Sequence, residues 1–348
     1  MNATQAEAPA PRLSVVVPCY NEAEGLRELH RRVTLACRAV LACRAEVESS
    51  YELVLVNDGS TDGTWTVIRE LAEEDPNVVG VSLSRNHGHQ LALTSGLSLC
   101  RGERVLILDA DLQDPPELLG RMMDLMDKGA DVVYGKRIRR EGETWFKKAT
   151  AAAFYRALGR LVEFPIPVDT GDFRLMSRRA VDVLNAMPER HRFIRGMVSW
   201  IGLTQVPLHY LRQGRYAGST KYPLAKMVRF AVDAISSFSI APLRLASYLG
   251  LLFGVGGLLA LAYVLYSWLT HQTVPGWTSV ITVVLILGSA QLFLLGIFGE
   301  YLGRLYLESK RRPLFVIDQI VRRPATAANQ TAAPSLRSDN PNLTAERP

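Results

Sequence analysis

Cysteine is scarce in this 348-residue sequence, and the four present, at positions 19, 37, 43 and 100, form no Cys-x-x-Cys pair and no metal-like spacing with histidine. That excludes a disulfide scaffold and a zinc module, and reduced, partly buried thiols are expected. A glycine-rich dinucleotide fingerprint is missing after the first apolar run, as is the lysine motif of a phosphate-binding P-loop. The run Leu13 to Tyr20 is too short for a signal peptide, lacks a basic leader and is followed at once by charge, so no cleaved leader is expected. No aromatic platform or base-reading motif accompanies the basic residues, which argues against a nucleic-acid partner. Internal repeats are also lacking.

What the sequence has in excess is apolar surface, at 48% hydrophobic against 21% charged residues, with a net charge of +6. The excess is concentrated. Leu245 to Thr270 is a run of 26 residues without Asp, Glu, Lys or Arg, and Gln272 to Gly299 is another of 28. About 20 apolar residues suffice to cross a bilayer core, so a two-helix transmembrane hairpin is expected, with spans over 245–270 and 273–299. Lys221, Lys226, Arg229 and Arg244 precede it, Arg304, Lys310, Arg311 and Arg312 follow it, and the connecting turn has no basic residue. The positive-inside rule then places both termini and the preceding domain in the cytosol, on the inner membrane of a cell. Tyr263, Tyr266, Trp268 and Trp277 fit an aromatic belt at the far ends. Residues 223–244 mix apolar and charged positions around Pro242 and read as interfacial amphipathic helices. The remaining boundaries are a disordered N-terminus over 1–11, a soluble domain over 12–222, a juxtamembrane cytosolic segment over 300–322 and a disordered tail over 323–348.

Within the soluble part, short apolar runs at 13–18, 52–57, 78–83, 104–108 and 132–134 alternate with helically spaced stretches at 23–43, 64–74, 90–99 and 116–128. This pattern predicts an α/β domain with a mostly parallel sheet, in which ligands bind beyond the carboxyl ends of the strands. Polar residues fall at those ends: Tyr20, Asn21 and Glu22; Asp58; Arg85 and Asn86; Asp109 to Gln113. Asp109 and Asp111, two apart at a strand end, can both reach one divalent ion, with Gln113 as a further oxygen donor at the same period; one or two carboxylates plus phosphate oxygens is a usual setting for Mg²⁺.

PCYNEAEGL at 18–26, VNDGSTDGT at 56–64, Asp109-Ala110-Asp111 and DLQDPPELL at 111–119 together resemble the inverting family 2 glycosyltransferases. The likeness continues through DTGDFRLMSRRAV, RFIRGMVSWIG and RYAGSTKYPLAKM, covers roughly residues 12–312, and with the hairpin resembles the polyprenyl-phosphate branch that includes bactoprenol glucosyltransferases and dolichol-phosphate mannose synthases. It implies a GT-A-type nucleotide-sugar-binding domain followed by interfacial helices and a transmembrane hairpin. By position, it implies that Pro18, Tyr20, Glu22 and Asp58 hold the nucleoside. Asp109, Ala110 and Asp111 match the donor diphosphate positions, with Mg²⁺ or Mn²⁺ on Asp109, Asp111 and Gln113. Arg215 and Lys221 match a basic loop over the donor phosphates, with Gly218 giving that loop backbone freedom. Asp169 and Asp172 lie where the family places its proposed base, or one of them orients the following Phe173-Arg174 segment. Arg137, Lys147, Lys148 and Arg195 are candidates for the acceptor phosphate. A processive polysaccharide synthase is disfavoured, because no Arg-Trp pair occurs in the chain.

The expected activity is therefore inverting transfer of a monosaccharide from a nucleotide sugar to a polyprenyl phosphate, in cell-envelope or glycan modification. UDP-glucose with undecaprenyl phosphate is preferred over GDP-mannose with a similar lipid. A lipid monophosphate, with a second pKa near ~6, is already largely dianionic at neutral pH, so base catalysis is weak or unnecessary. The alternative of another class is a non-catalytic scaffold or flippase partner, which would show a broken metal or phosphate constellation. Homo-oligomerisation is an expectation for a hairpin that otherwise leaves most of its faces to lipid.

Overall fold

The computed structural model describes residues 10–44, 50–138, 170–211, 241–270 and 276–323. Among the described residues, seven strands and six helices build the part before the long helices: β1 (Leu13–Cys19), α1 (Leu26–Cys43), β2 (Tyr51–Asn57), α2 (Thr64–Glu74), β3 (Val78–Leu83), α3 (His89–Leu99), β4 (Arg104–Ile107), α4 (Leu119–Asp127) after a 3-10 turn at Pro116–Leu118, β5 (Val132–Arg137), β6 (Thr170–Ser177), α5 (Arg178–Ala186), α6 (Ile194–Ile201) and β7 (Gln205–Tyr210). Two long helices follow, α7 (Ala241–Leu269) and α8 (Trp277–Ser309), and then an eighth strand, β8 (Ile317–Arg322).

One 8-stranded sheet runs in the order β7-β5-β6-β4-β1-β2-β3-β8. β4, β1, β2 and β3 are parallel neighbours, and β5 and β7 pair in parallel, whereas β6 and β8 are antiparallel to theirs. β1 and β2 are apolar without alternation because both sheet faces are covered. Val15, Val17, Leu53 and Leu55 pack with α1, α2 and α4, while Val16, Val54 and Val56 pack with α3, α5 and α6. On α1 the inward stripe Leu26, Leu29, Val33, Cys37 and Leu41 keeps helical spacing. Each fully buried Leu or Val side chain contributes roughly 2 kcal/mol.

The expected GT-A-type α/β architecture is therefore present; the expected strands and helices differ from the observed ones mainly at their ends, whereas β6, β7, β8, α5 and α6 were not among the expected elements. Four cysteines are free thiols, with Cys19, Cys37 and Cys100 buried and Cys43 exposed.

α7 and α8 are long and apolar enough to cross a membrane by length and composition, over Pro242–Ser267 and Thr282–Ser309, and their apolar side chains are exposed. The first helix starts at Ala241 rather than at 245, and the second runs to Ser309 rather than ending at 299. The expected juxtamembrane segment 300–322 carries regular structure. Its first part extends α8, and its last part is β8, which rejoins the main sheet antiparallel to β3. Two further contacts hold this return: the Ser84 amide donates to the Val316 carbonyl at 3.0 Å, and the Arg190 amide donates to a Glu308 carboxylate oxygen at 2.8 Å. Residues 1–9 and 324–348 of the expected disordered termini, and most of the expected interfacial helices, lie outside the described residues.

Candidate active site

The loops after β1 and β2 are tied to each other at the carboxyl edge of the sheet. Asn21, at φ 56°, accepts the Thr61 amide at 2.9 Å on its side-chain oxygen, and its own amide donates to Ser60 Oγ at 3.1 Å. The Glu22 amide donates to Thr64 Oγ1 at 2.9 Å. Pro18 is buried beneath this junction, whereas Tyr20 is 48% exposed, so its ring is open to a ligand.

Asp58 is buried, and its two oxygens accept the amides of His87 at 2.7 Å and Gly88 at 2.9 Å. Burial pushes its carboxyl up, opposed by those two hydrogen bonds. Its observed work is to fix the turn that enters α3. Gly59 makes the approach possible: at φ +62°, a Cβ there would lie 2.4 Å from the Asn86 nitrogen. A further hydrogen bond to Asp58 has only the lone pairs that these amides leave.

α3 thereby presents His89 to the cleft, and no sequence pattern singled this residue out. Its Nε2 lies 3.1 Å from Asp172 Oδ2 and 3.6 Å from Asp109 Oδ1. Burial would lower the pKa of the imidazole, but the Asp172 hydrogen bond and the charges of Asp109 and Asp172 carry it above its ordinary value.

Asp172 is 1% exposed and lies at the hub of a cationic set. Arg195 Nε donates to its Oδ1 at 2.9 Å, Gln90 Nε2 to its Oδ2 at 3.3 Å, and the Arg174 guanidinium stands 3.8 Å away. Gln90 also accepts the Ile194 amide at 2.9 Å, which binds the start of α6 to the start of α3. Burial alone would raise the Asp172 pKa, yet His89, Arg195 and Arg174 hold it well below the usual carboxylate range. A buried carboxylate already paired with these donors is a poor proton acceptor. In this arrangement Asp172 is placed to orient His89 and Arg195. The other reading, pairing with Arg174, is realised.

Asp109, at the end of β4, has the opposite character. Its Oδ1 is buried without a hydrogen-bond partner. Burial pushes its carboxyl up to about 6, with His89 opposing and Asp172, Asp114 and Asp111 adding. Ala110 is buried next to it, and the chain then turns through Leu112 at φ 58°, a backbone state rare for a non-glycine residue. Asp111 Oδ1 accepts the Gln113 amide at 3.2 Å within that turn. The orphaned oxygen, the raised pKa and the cluster of carboxylates fit a hard divalent cation. His89, Asp109 and Asp172 offer atoms within 4.8 Å of one another, but the guanidinium groups on Asp172 disfavour a metal on that carboxylate, so Asp109 carries the fit.

Arg137, at the end of β5, is joined to Asp114 and Tyr210. The structure thus groups Asp109, Asp172 and Arg195 around His89, and places Arg137 on the last residue of the Asp109-to-Asp114 loop. Asp169, Lys147, Lys148, Arg215 and Lys221 lie outside the described residues. Beyond His89, reading the sequence missed Gln90 and the burial of Asp114.

Comparison with known proteins adds an independent line. The profile for Glycosyl transferase family 2 matches residues 14–184, and that for the GtrB C-terminal hairpin matches residues 241–305. A relative from Bacillus subtilis, the uncharacterized glycosyltransferase YkcC, is 44% identical over 307 residues, 88% of this chain and 93% of the relative. The prophage bactoprenol glucosyl transferase homolog of Escherichia coli is 36% identical over 317 residues, covering 89% of this chain and 99% of the relative. Among solved structures, the mannosyltransferase PcManGT of Pyrobaculum calidifontis, in complex with GDP-Man and Mn²⁺, aligns at a TM-score of 0.41 with 19% identity, over 84% of this chain and 87% of that one.

Proposed function

Since this chain belongs to the family 2 glycosyltransferases and carries a GtrB-type C-terminal hairpin, we propose that it transfers glucose from UDP-glucose to undecaprenyl phosphate with inversion at the anomeric carbon. One observation carries the reading. A carboxylate with an orphaned buried oxygen, Asp109, stands at the carboxyl edge of a parallel sheet, in a chain that also extends two outward-facing apolar helices and returns from them to the same sheet. A nucleotide-sugar site and a lipid-facing anchor are thereby built into one framework. The choice of glucose over mannose rests on the bactoprenol glucosyl transferase relatives, which match over nearly their whole length.

Inverting transfer is an in-line displacement. The acceptor phosphate oxygen attacks the anomeric carbon, the bond to the donor diphosphate breaks on the opposite face, and the electron pair leaves with the UDP. A lipid monophosphate supplies its own anionic nucleophile at neutral pH, so the chain need not provide a base, consistent with Asp172 being engaged as an anchor. Tyr20 offers an exposed ring to the nucleoside, with Pro18, Glu22 and Asp58 shaping that end. Asp109, Asp111 and Gln113 would hold Mg²⁺ or Mn²⁺, which when bound offsets the charge building up on the departing diphosphate. His89 and Arg195, held by Asp172, add positive charge beside that position. Arg215 and Lys221 are proposed to close over the phosphates, and Lys147 and Lys148 to join Arg137 at the acceptor end.

The test uses the full chain in detergent with undecaprenyl phosphate, Mg²⁺ or Mn²⁺, and a panel of radiolabelled UDP- and GDP-sugars. Label passing to the organic phase from UDP-glucose, and its loss in Asp111→Ala, is the expected result. Label from GDP-mannose alone would replace the donor, and no label from any sugar in protein that still binds UDP would favour a non-catalytic role.

A further inference from the structure

Asp114 is fully buried, where a carboxyl group needs hydrogen-bond partners. Among the described residues, its partners form a ring of three side chains with it. The Tyr210 hydroxyl donates to Asp114 Oδ1, Arg137 Nη2 lies 3.4 Å from Asp114 Oδ2, and Arg137 Nε donates to the Tyr210 oxygen at 3.3 Å. Three separate elements meet there: the loop that began at Asp109, the end of β5 and the end of β7. The Tyr210 ring is itself fixed edge-on against Phe173, with centroids 5.7 Å apart at 67°. Burial alone would lower the Arg137 pKa, and Tyr210 and Asp114 more than offset this.

A fourth element leaves the space. Gly171, on β6 in the DTGDFRL stretch, faces the guanidinium, and a Cβ there would lie 2.5 Å from Arg137 Nη2. Nη2 is the far end of a flexible side chain, so an added methyl would displace the guanidinium rather than the backbone. The Arg137 side chain remains 27% exposed, and only two of its five donors are engaged by described residues. An arginine fixed from behind, with donors that no described residue engages, suits a phosphate group.

We propose that Asp114 and Tyr210 are positioning residues that aim Arg137 at the phosphate of the acceptor lipid, with Gly171 keeping the space its guanidinium occupies. The inference rests on the acceptor reading given above and extends it. One loop then serves both substrates, Asp109 at its start facing the donor side and Asp114 at its end setting the acceptor side.

The test measures equilibrium binding of labelled undecaprenyl phosphate, undecaprenol and UDP, separately, by the full-length protein and its Arg137→Ala, Tyr210→Phe and Gly171→Ala variants. Each variant is expected to weaken undecaprenyl phosphate about tenfold while leaving UDP within about twofold, the size of one lost charge-assisted hydrogen bond. Affinity for undecaprenol, which lacks the phosphate, is expected to be equal in all four proteins. Equal losses for the lipid phosphate and UDP would mark general loosening and overturn the proposal. If Arg137→Ala weakens the lipid phosphate and the other two do not, the positioning role falls and the acceptor reading stands. If Arg137→Ala leaves that affinity intact, the acceptor role of Arg137 falls with it.

Discussion

Asp109 and Asp172 both face Nε2 of the same imidazole, and their surroundings move their protons in opposite directions. Burial pushes Asp109 up to about 6, whereas His89 and two arginines hold Asp172 well below the ordinary range. For Asp109 the folded pKa lies above the unfolded value, so its ionisation costs stability; the cost begins near pH ~4, grows to about pH 6 and is level above. Asp109→Asn is therefore expected to raise the stability of the chelator-treated protein by about 2 kcal/mol at pH 7.5 while abolishing transfer, a gain that shrinks toward pH ~4. Thermal melts at the two pH values, beside the transfer assay, check both halves. Asp172 works the other way: its depressed pKa contributes stability above the unfolded value, and that contribution is lost as pH falls through the folded one. Asp172→Asn leaves buried Arg174 and half-buried Arg195 facing a neutral amide, and a loss of about 3 kcal/mol together with reduced transfer is expected from a denaturant melt and rate measurement. A melt unchanged from wild type would show that Asp172 is not the anchor described here.

At the scale of elements, β8 links the end of the hairpin to the catalytic sheet. It covers the β3 edge, and Arg322 reaches Glu52, a buried carboxylate that also accepts Ser14 Oγ at 2.6 Å and the Arg101 amide at 2.6 Å. Truncation after Arg312 uncovers that edge and removes the Arg322 partner. The truncated chain is expected to melt at lower temperature and to aggregate in size-exclusion chromatography, with its organic-phase transfer reduced. β2 and β3 were legible in the sequence because they are buried on both faces and read as continuous apolar runs. β6 was not legible as a strand, because its interior carries Asp172 and Arg174, charges that only a tertiary pairing makes tolerable. β7 holds Pro207, and β8, Ile317–Arg322, carries as many polar as apolar residues on an edge, so neither gave a core signal. Among site residues, strand-end position exposed Asp58, Asp109 and Asp111, whereas His89 depends on Asp172, 83 residues away, and no local pattern reveals that pairing.

For the whole molecule, the account joins three parts: a parallel sheet whose carboxyl edge gathers aspartates, two apolar helices suited to a bilayer, and a strand that returns from those helices to the sheet. The second helix, at 33 residues, spans roughly 50 Å, well beyond the ~30 Å of a bilayer core. Its last turn, with Glu308 bonded to the Arg190 amide, lies against the soluble domain. A lipid acceptor with its phosphate at the membrane surface is the substrate this layout best accommodates. The central claim is that this phosphate attacks the sugar directly, with inversion. The measurement that tests it is the structure of the lipid product made from α-configured UDP-glucose and undecaprenyl phosphate, determined by mass spectrometry and by proton and phosphorus NMR. The account expects a monophosphate-linked glucose in the β configuration, with UDP released. A retained α linkage, or a diphosphate-linked product formed by transfer of glucose 1-phosphate, would contradict it.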